Sequence, residues 1–143
     1  MTTGSAKSLL SNTAILYIYV TIGGVLGSLA RYLAALLILP GSGFPWATLF
    51  VNITGSFAIG LYSALSGPDG RLFASARQRQ FVMTGFCGGY TTFSAFSLET
   101  VRLLGAGMAR TALIYIVVSV AGSLLAVWLG HALATRLNRL KGS

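Results

Sequence analysis

The sequence predicts an all-α integral membrane protein with four transmembrane helices, the third of them broken. Three observations carry that expectation. Of the 143 residues, 55% are hydrophobic and only 8% are charged, whereas soluble domains carry about 25% charged residues. Four apolar segments reach the roughly 20 residues that a helix needs to cross a bilayer. The third of these holds glycines and hydroxyl side chains at a density that a lipid-facing helix does not need.

The elements follow in order. The first apolar run covers about residues 14–39 and is interrupted only by Arg31. The polar stretch before it does not read as a cleavable signal, because the apolar run is too long and no small-residue cleavage pattern follows. Residues 40–45 hold two prolines and two glycines, a tight turn. The second span, about residues 46–65, carries no charge. Its connection, residues 66–80, opens with the turn signal Gly67-Pro68-Asp69-Gly70. The third span covers about residues 81–104, with Glu99 and Arg102 near its end, and the fourth about residues 111–133. The stretch from Thr135 to Ser143 is basic and is expected to fray into water. The chain is too short for two domains and is read as a single membrane domain over residues 1–143.

An even number of spans places both termini on one side. Lys7, Arg71, Arg77, Arg79, Arg136, Arg139 and Lys141 share that side, seven basic residues, against Arg102 and Arg110 on the other. The bias predicts cytoplasmic termini. The net charge of +8 does not point to nucleic acid, since the basic residues sit mostly at the ends of apolar segments, where they anchor against anionic lipid. Cys87 is the single cysteine, so no intrachain disulfide forms.

The segment Gly85-Phe86-Cys87-Gly88-Gly89-Tyr90-Thr91-Thr92-Phe93-Ser94-Ala95-Phe96-Ser97 is the most informative. Glycines let the backbone leave helical geometry, and hydroxyls satisfy the polar groups so released. A broken helix at membrane depth is tolerated only inside protein or beside a water-filled path. The segment therefore reads as the wall of a pore or binding site. Phe93 and Phe96, three apart, share a helix face just after the break.

Three further constellations lie within the spans. Arg31 follows Gly23-Gly24-Val25-Leu26-Gly27. An intramembrane arginine costs at least about 2.5 kcal/mol on insertion scales, so it snorkels, pairs with Glu99, or serves a function. Asn52 stands between Thr48 and Ser56 at helical spacing. It makes an interhelical hydrogen bond or points an NH2 donor into a pore. Tyr115, Ser119 and Ser123 recur every four residues and give the fourth helix one hydroxyl-bearing face. The sequence carries no His/Cys cluster, no Ser/His/Asp set and no acid in the first two spans, so an enzyme reading has almost no support. Hydroxyls, amide donors and aromatic ring edges suit a small anion that accepts strong hydrogen bonds.

Gly23-Gly24, Gly27 and Arg31-Tyr32 in the first helix, Thr48-Leu49-Phe50-Val51-Asn52 in the second, and the third-helix motif through Glu99 together resemble the Fluc (CrcB) fluoride channels. The resemblance spans nearly the whole chain, and the third motif is its most specific part. It implies an antiparallel dual-topology dimer in the bacterial cytoplasmic membrane that exports fluoride passively and gives fluoride resistance. It implies that Asn52 donates to fluoride and that Phe93 and Phe96 meet the anion edge-on. Thr48, Tyr115, Ser119 and Ser123 would line a polar track, with Arg31 in the vestibule. The backbone carbonyls of Gly88 and Thr91 would hold a structural sodium ion at the dimer centre. Ala95 and Ala47 depart from the family pattern, where threonine and glycine are usual, without removing a proposed ligand. Dual topology calls for a weak charge bias, and seven against two is strong; a homodimer is favoured, with an antiparallel heterodimer as the other arrangement. A proton-coupled small four-helix exporter is the competing function. Coupling normally uses an intramembrane acid, and Glu99 is the sole candidate.

Overall fold

A computed structural model describes residues 3–38 and 43–139, with side chains from Asn12 onward. Lys141, the Lys7 side chain, residue 39 of the first run and residues 40–42 of the expected turn lie outside the described residues. Among the described residues the fold is entirely helical. Helix α1 covers Thr3–Leu37, α2 Trp46–Leu65, and α3 Ala76–Arg79, which runs into a π-helical stretch Gln80–Cys87 and then α4 Gly88–Tyr90. After a break come α5, Phe93–Gly105, and α6, Ala109–Arg139.

Three of these helices are long and apolar enough to cross a membrane: Asn12–Leu37 within α1, Trp46–Leu65, and Ala109–Arg139. Two ends differ from the sequence expectation. Helix α1 starts at Thr3, well before residue 14, and α6 runs on to Arg139, so residues 135–139 are helical rather than frayed. Hydropathy marks where lipid begins and ends, whereas helix length follows backbone hydrogen bonding and local partners. Asn138, in the last turn of α6, donates from Nδ2 to the Ala64 carbonyl at 3.0 Å and accepts from the Arg71 amide at 3.1 Å. Those bonds tie the end of α6 to the end of α2.

Local signals set the remaining boundaries. Ser75 caps α3 in a reciprocal pair with Gln78, the Ser75 Oγ accepting from the Gln78 amide and Gln78 Oε1 from the Ser75 amide. Helix α5 ends at Gly105, and the chain turns at Gly107, whose φ of +76° suits glycine. There the Gly107 amide bonds to the Leu104 carbonyl and the Met108 amide to the Leu103 carbonyl, both near 3 Å. That closure turns the chain directly into α6.

Helices pack in two close pairs. Helix α1 lies along the π stretch and α4, and α2 lies along α6. Between lipid-exposed helices no hydrophobic drive exists, and close approach at small residues supplies the contact. In the first pair the backbones meet at Gly23 and Gly85, where an added Cβ on either would strike the facing backbone. In the second pair Gly60 faces Val127 and Gly130 faces Phe57 in the same way. Helix α5 crosses the end of the second pair, and Leu49, Leu103, Ala112 and Tyr115 form a small buried core there.

Candidate functional site

The break between α4 and α5 is built by hydrogen bonding rather than by glycine alone. Thr91 and Thr92 take extended backbone angles, φ −80°, ψ 161° and φ −153°, ψ 127°. The Thr92 amide would continue the helix by bonding to the Gly88 carbonyl. Instead it donates to Asn52 Oδ1 at 2.7 Å, and Asn52 Nδ2 donates to the Thr92 carbonyl at 2.9 Å. Because a backbone amide only donates and a carbonyl only accepts, this pair fixes the orientation of the Asn52 amide. One N–H of its NH2 group remains beyond that latch. Thr92 then starts α5, its Oγ1 accepting from the Ala95 amide at 3.2 Å. Thr91 closes the other side, its amide and hydroxyl both donating to the Cys87 carbonyl, at 3.0 and 2.9 Å.

A helix end leaves its last carbonyls without intrahelical partners. Helix α1 reaches two of them. Ser28 Oγ donates to the Gly89 carbonyl at 3.4 Å, and the Arg31 guanidinium donates to the Thr91 carbonyl at 3.2 Å. A cation is favoured at the negative end of a helix dipole. Pairing of Arg31 with Glu99, one of the sequence expectations, does not form. The half-buried Arg31 is drawn instead to the carbonyls that the break releases.

Glu99 has other partners. Thr48 Oγ1 donates to Oε1 at 2.8 Å and the Tyr115 hydroxyl donates to Oε2 at 2.7 Å. Tyr115 is fully buried, its ring against Phe44 at 5.5 Å and Phe96 at 5.2 Å.

Beside this cluster runs a groove of about 400 Å³, open along one side. Its wall includes Asn52 and Ser56 from α2, Thr91 and Thr92 at the break, Phe93 and Phe96 from α5, and Ser119 and Ser123 from α6. Gly88 and Cys87 also border it. Phe93 and Phe96 lie with ring centres 5.5 Å apart and planes at 45°. Phe93 is 78% exposed, and Phe96 is half-buried. Ser119 is 5% exposed, and its hydroxyl has no hydrogen-bond partner within the subunit.

The structure thus brings Asn52, Phe93, Phe96, Ser119 and Ser123 to one groove, with the Gly88 backbone and Thr91 at its edge. Thr48 and Tyr115 share helix faces with these residues, but their hydroxyls go to Glu99. Sequence reasoning did not single out Thr92 as the pivot or Ser28 as a carbonyl partner. The signal for Thr92 was present: a threonine just before the helical run resumes, three residues ahead of the amide it caps. Nothing near Ser28 distinguishes it from a packing serine.

Known proteins resemble this chain over most of its length. The family model "CrcB-like protein, Camphor Resistance (CrcB)" matches residues 18–131. A relative from Rhodopseudomonas palustris (strain BisB18), named fluoride-specific ion channel FluC 1, is 65% identical over 94% of this chain and 96% of its own length. A Bradyrhizobium diazoefficiens protein of the same name is 60% identical over 92% of each chain. A fluoride-specific ion channel FluC from Opitutus terrae is 49% identical over 90% of this chain and 98% of its own. The chain belongs to the CrcB family of multi-pass membrane proteins.

Proposed function

We propose that the protein is a fluoride-selective channel that lets fluoride leave the cytoplasm down its electrochemical gradient, lowering cytoplasmic fluoride and giving fluoride resistance. The observation that carries this reading is a groove whose donors are held in place and not neutralised. Asn52, Phe93, Phe96 and Ser119 border one groove, the buried Ser119 hydroxyl has no hydrogen-bond partner, and one Asn52 N–H lies beyond the latch on Thr92. Fluoride is small and strongly hydrated, so it enters only where donors replace its water. Hydroxyl and amide groups supply hydrogen bonds, and aromatic edges are the positive part of the ring quadrupole. Chloride, being larger, fits the same rigid spacing poorly, the balance of size and field strength that other filters use. Glu99, the one acid near the groove, has its oxygens engaged by Thr48 and Tyr115, which disfavours proton-coupled export.

The half-open groove supports assembly as an antiparallel dual-topology dimer. Polar groups facing lipid are costly, and a second copy laid across Phe93 would enclose them. The helices on either side of the break then act together as a fourth crossing. A homodimer is the simpler arrangement; the seven-to-two charge bias leaves an oppositely oriented homologue as the other partner. Oxygen donors at a helix C-terminus suit a hard cation. The carbonyls of Gly88, whose helical partner is taken by Asn52, and of Thr91, which also accepts from Arg31, would hold a structural sodium ion together with the same pair from the second subunit.

The test is efflux from proteoliposomes holding this protein alone, read by fluoride and chloride electrodes with valinomycin clamping the potential. Fast fluoride efflux without chloride efflux is expected. Chloride efflux at a comparable rate contradicts the proposal. So does absence of fluoride efflux from folded protein both alone and with a co-reconstituted homologue.

A further inference from the structure

A second polar recess lies at the opposite end of the α2–α6 pair from Glu99. It measures about 430 Å³ and is bordered by Asp69 on the loop after α2 and by His131, Thr135, Asn138 and Arg139 on α6. Its floor is fixed. Asn138 bonds both the Ala64 carbonyl and the Arg71 amide, the Leu72 amide returns to the Leu65 carbonyl at 2.9 Å, and the Arg79 guanidinium donates to the Ser66 carbonyl. Close beside it the Arg71 side chain carries a buried Nε that has no acceptor.

The recess carries both signs. Asp69, His131 and Arg139 border the same recess, and among the described residues none of the three side chains is paired with another by a hydrogen bond or ion pair there. Its depth is that of a membrane surface, since α2 leaves its apolar span at Leu65 and α6 becomes polar from His131 onward. Trp128, 62% exposed, lies one turn deeper on the same face of α6 as His131 and Thr135, where an amphipathic ring sits at the lipid interface.

We propose that this recess binds the headgroup of a phospholipid carrying both a phosphate and a primary ammonium, the ethanolamine class. The phosphate meets Arg139 and His131, the ammonium meets Asp69, and the acyl chains descend past Trp128. A purely anionic headgroup brings no cation to Asp69. A quaternary ammonium offers that carboxylate no N–H donor. A guanidinium holds phosphate through paired N–H bonds, and the Arg71 donor adds to the positive field beside it.

The full-length protein would be examined by native mass spectrometry against equal concentrations of ethanolamine, choline and glycerol phospholipids with identical acyl chains. The ethanolamine lipid should be retained over choline by up to roughly fivefold, the upper end of what one exposed ion pair supplies. Asp69→Asn should abolish that preference while keeping overall phospholipid retention. Arg139→Gln should lower retention of all three lipids. Both positions are exposed, so each variant is expected to keep its fold. Equal retention of the three headgroups by the unaltered protein, or a preference that survives both variants, overturns the proposal. Displacement of the lipid by soluble glycerophosphoethanolamine at equal concentration would assign the site to a soluble ligand and overturn the lipid source.

Discussion

The polar residues on α2, α5 and α6 divide into two neighbouring groups of similar composition and opposite condition. Around Glu99, Thr48 and Tyr115 place their hydroxyls on one carboxylate and close a buried cluster. Around the break, Ser119 keeps a hydroxyl without a partner, and Asn52 keeps one N–H beyond its latch on Thr92. One acid makes the difference. Where a carboxylate is within reach, donors turn to it and become structure; where none is, they keep hydrogen-bonding capacity that the chain does not use. The lesson is that a polar stripe on a membrane helix cannot be read as a single conduit until the acids facing it have been located.

The largest effect is expected from breaking the latch that separates the two groups. Asn52→Ala leaves the Thr92 amide and carbonyl without their partners, at about 1–3 kcal/mol for each buried group. Thermal stability in detergent should fall, and fluoride efflux should collapse with it. Stability and flux both unchanged would show that the break holds itself open. Next comes the groove wall. Phe96→Ile and Phe93→Ile remove the ring edges and should cut fluoride efflux roughly tenfold or more, equivalent to about 1.4 kcal/mol of lost stabilisation. The assembly should keep its mass in size-exclusion chromatography, and undiminished flux in both variants would defeat the role given to the rings.

A smaller effect sharpens the comparison. Ser119→Ala removes a hydroxyl that no protein group uses, so the melting temperature should hold while flux falls severalfold. A marked loss of stability would mean that the hydroxyl is structural after all. Least of all is expected from Glu99→Gln, which keeps an oxygen acceptor between Thr48 and Tyr115. Its fluoride efflux should stay close to that of the unaltered protein at every pH at which the protein remains folded. Loss of flux, or of a proton dependence present in the unaltered protein, would revive the coupled-exporter reading.

Much of this arrangement was legible in the residues, for reasons that can be named. Helical spacing put Asn52 with Ser56, and Ser119 with Ser123, and those pairs border one groove. Glycine and hydroxyl density marked the segment 85–97, within which Thr91 and Thr92 leave helical angles. Pairings across the fold were not legible. Glu99 takes Thr48 from 51 residues away and Tyr115 from 16, and periodicity within one helix carries no information about an acid on another. The Arg31 contact with Thr91 was hidden in the same way, because it depends on which carbonyls the break releases. The π-helical stretch was hidden too: Gln80–Cys87 shows no composition that sets it apart from an ordinary helix before a break.

The central claim is that the groove between the break and α6 is the path the anion takes. It is tested most directly with Ser123→Cys in a Cys87→Ala background, reconstituted into liposomes and treated with a small methanethiosulfonate reagent while fluoride efflux is recorded. The account predicts that efflux stops in proportion to modification measured by intact mass. Complete modification with undiminished fluoride efflux would place the path elsewhere and contradict it.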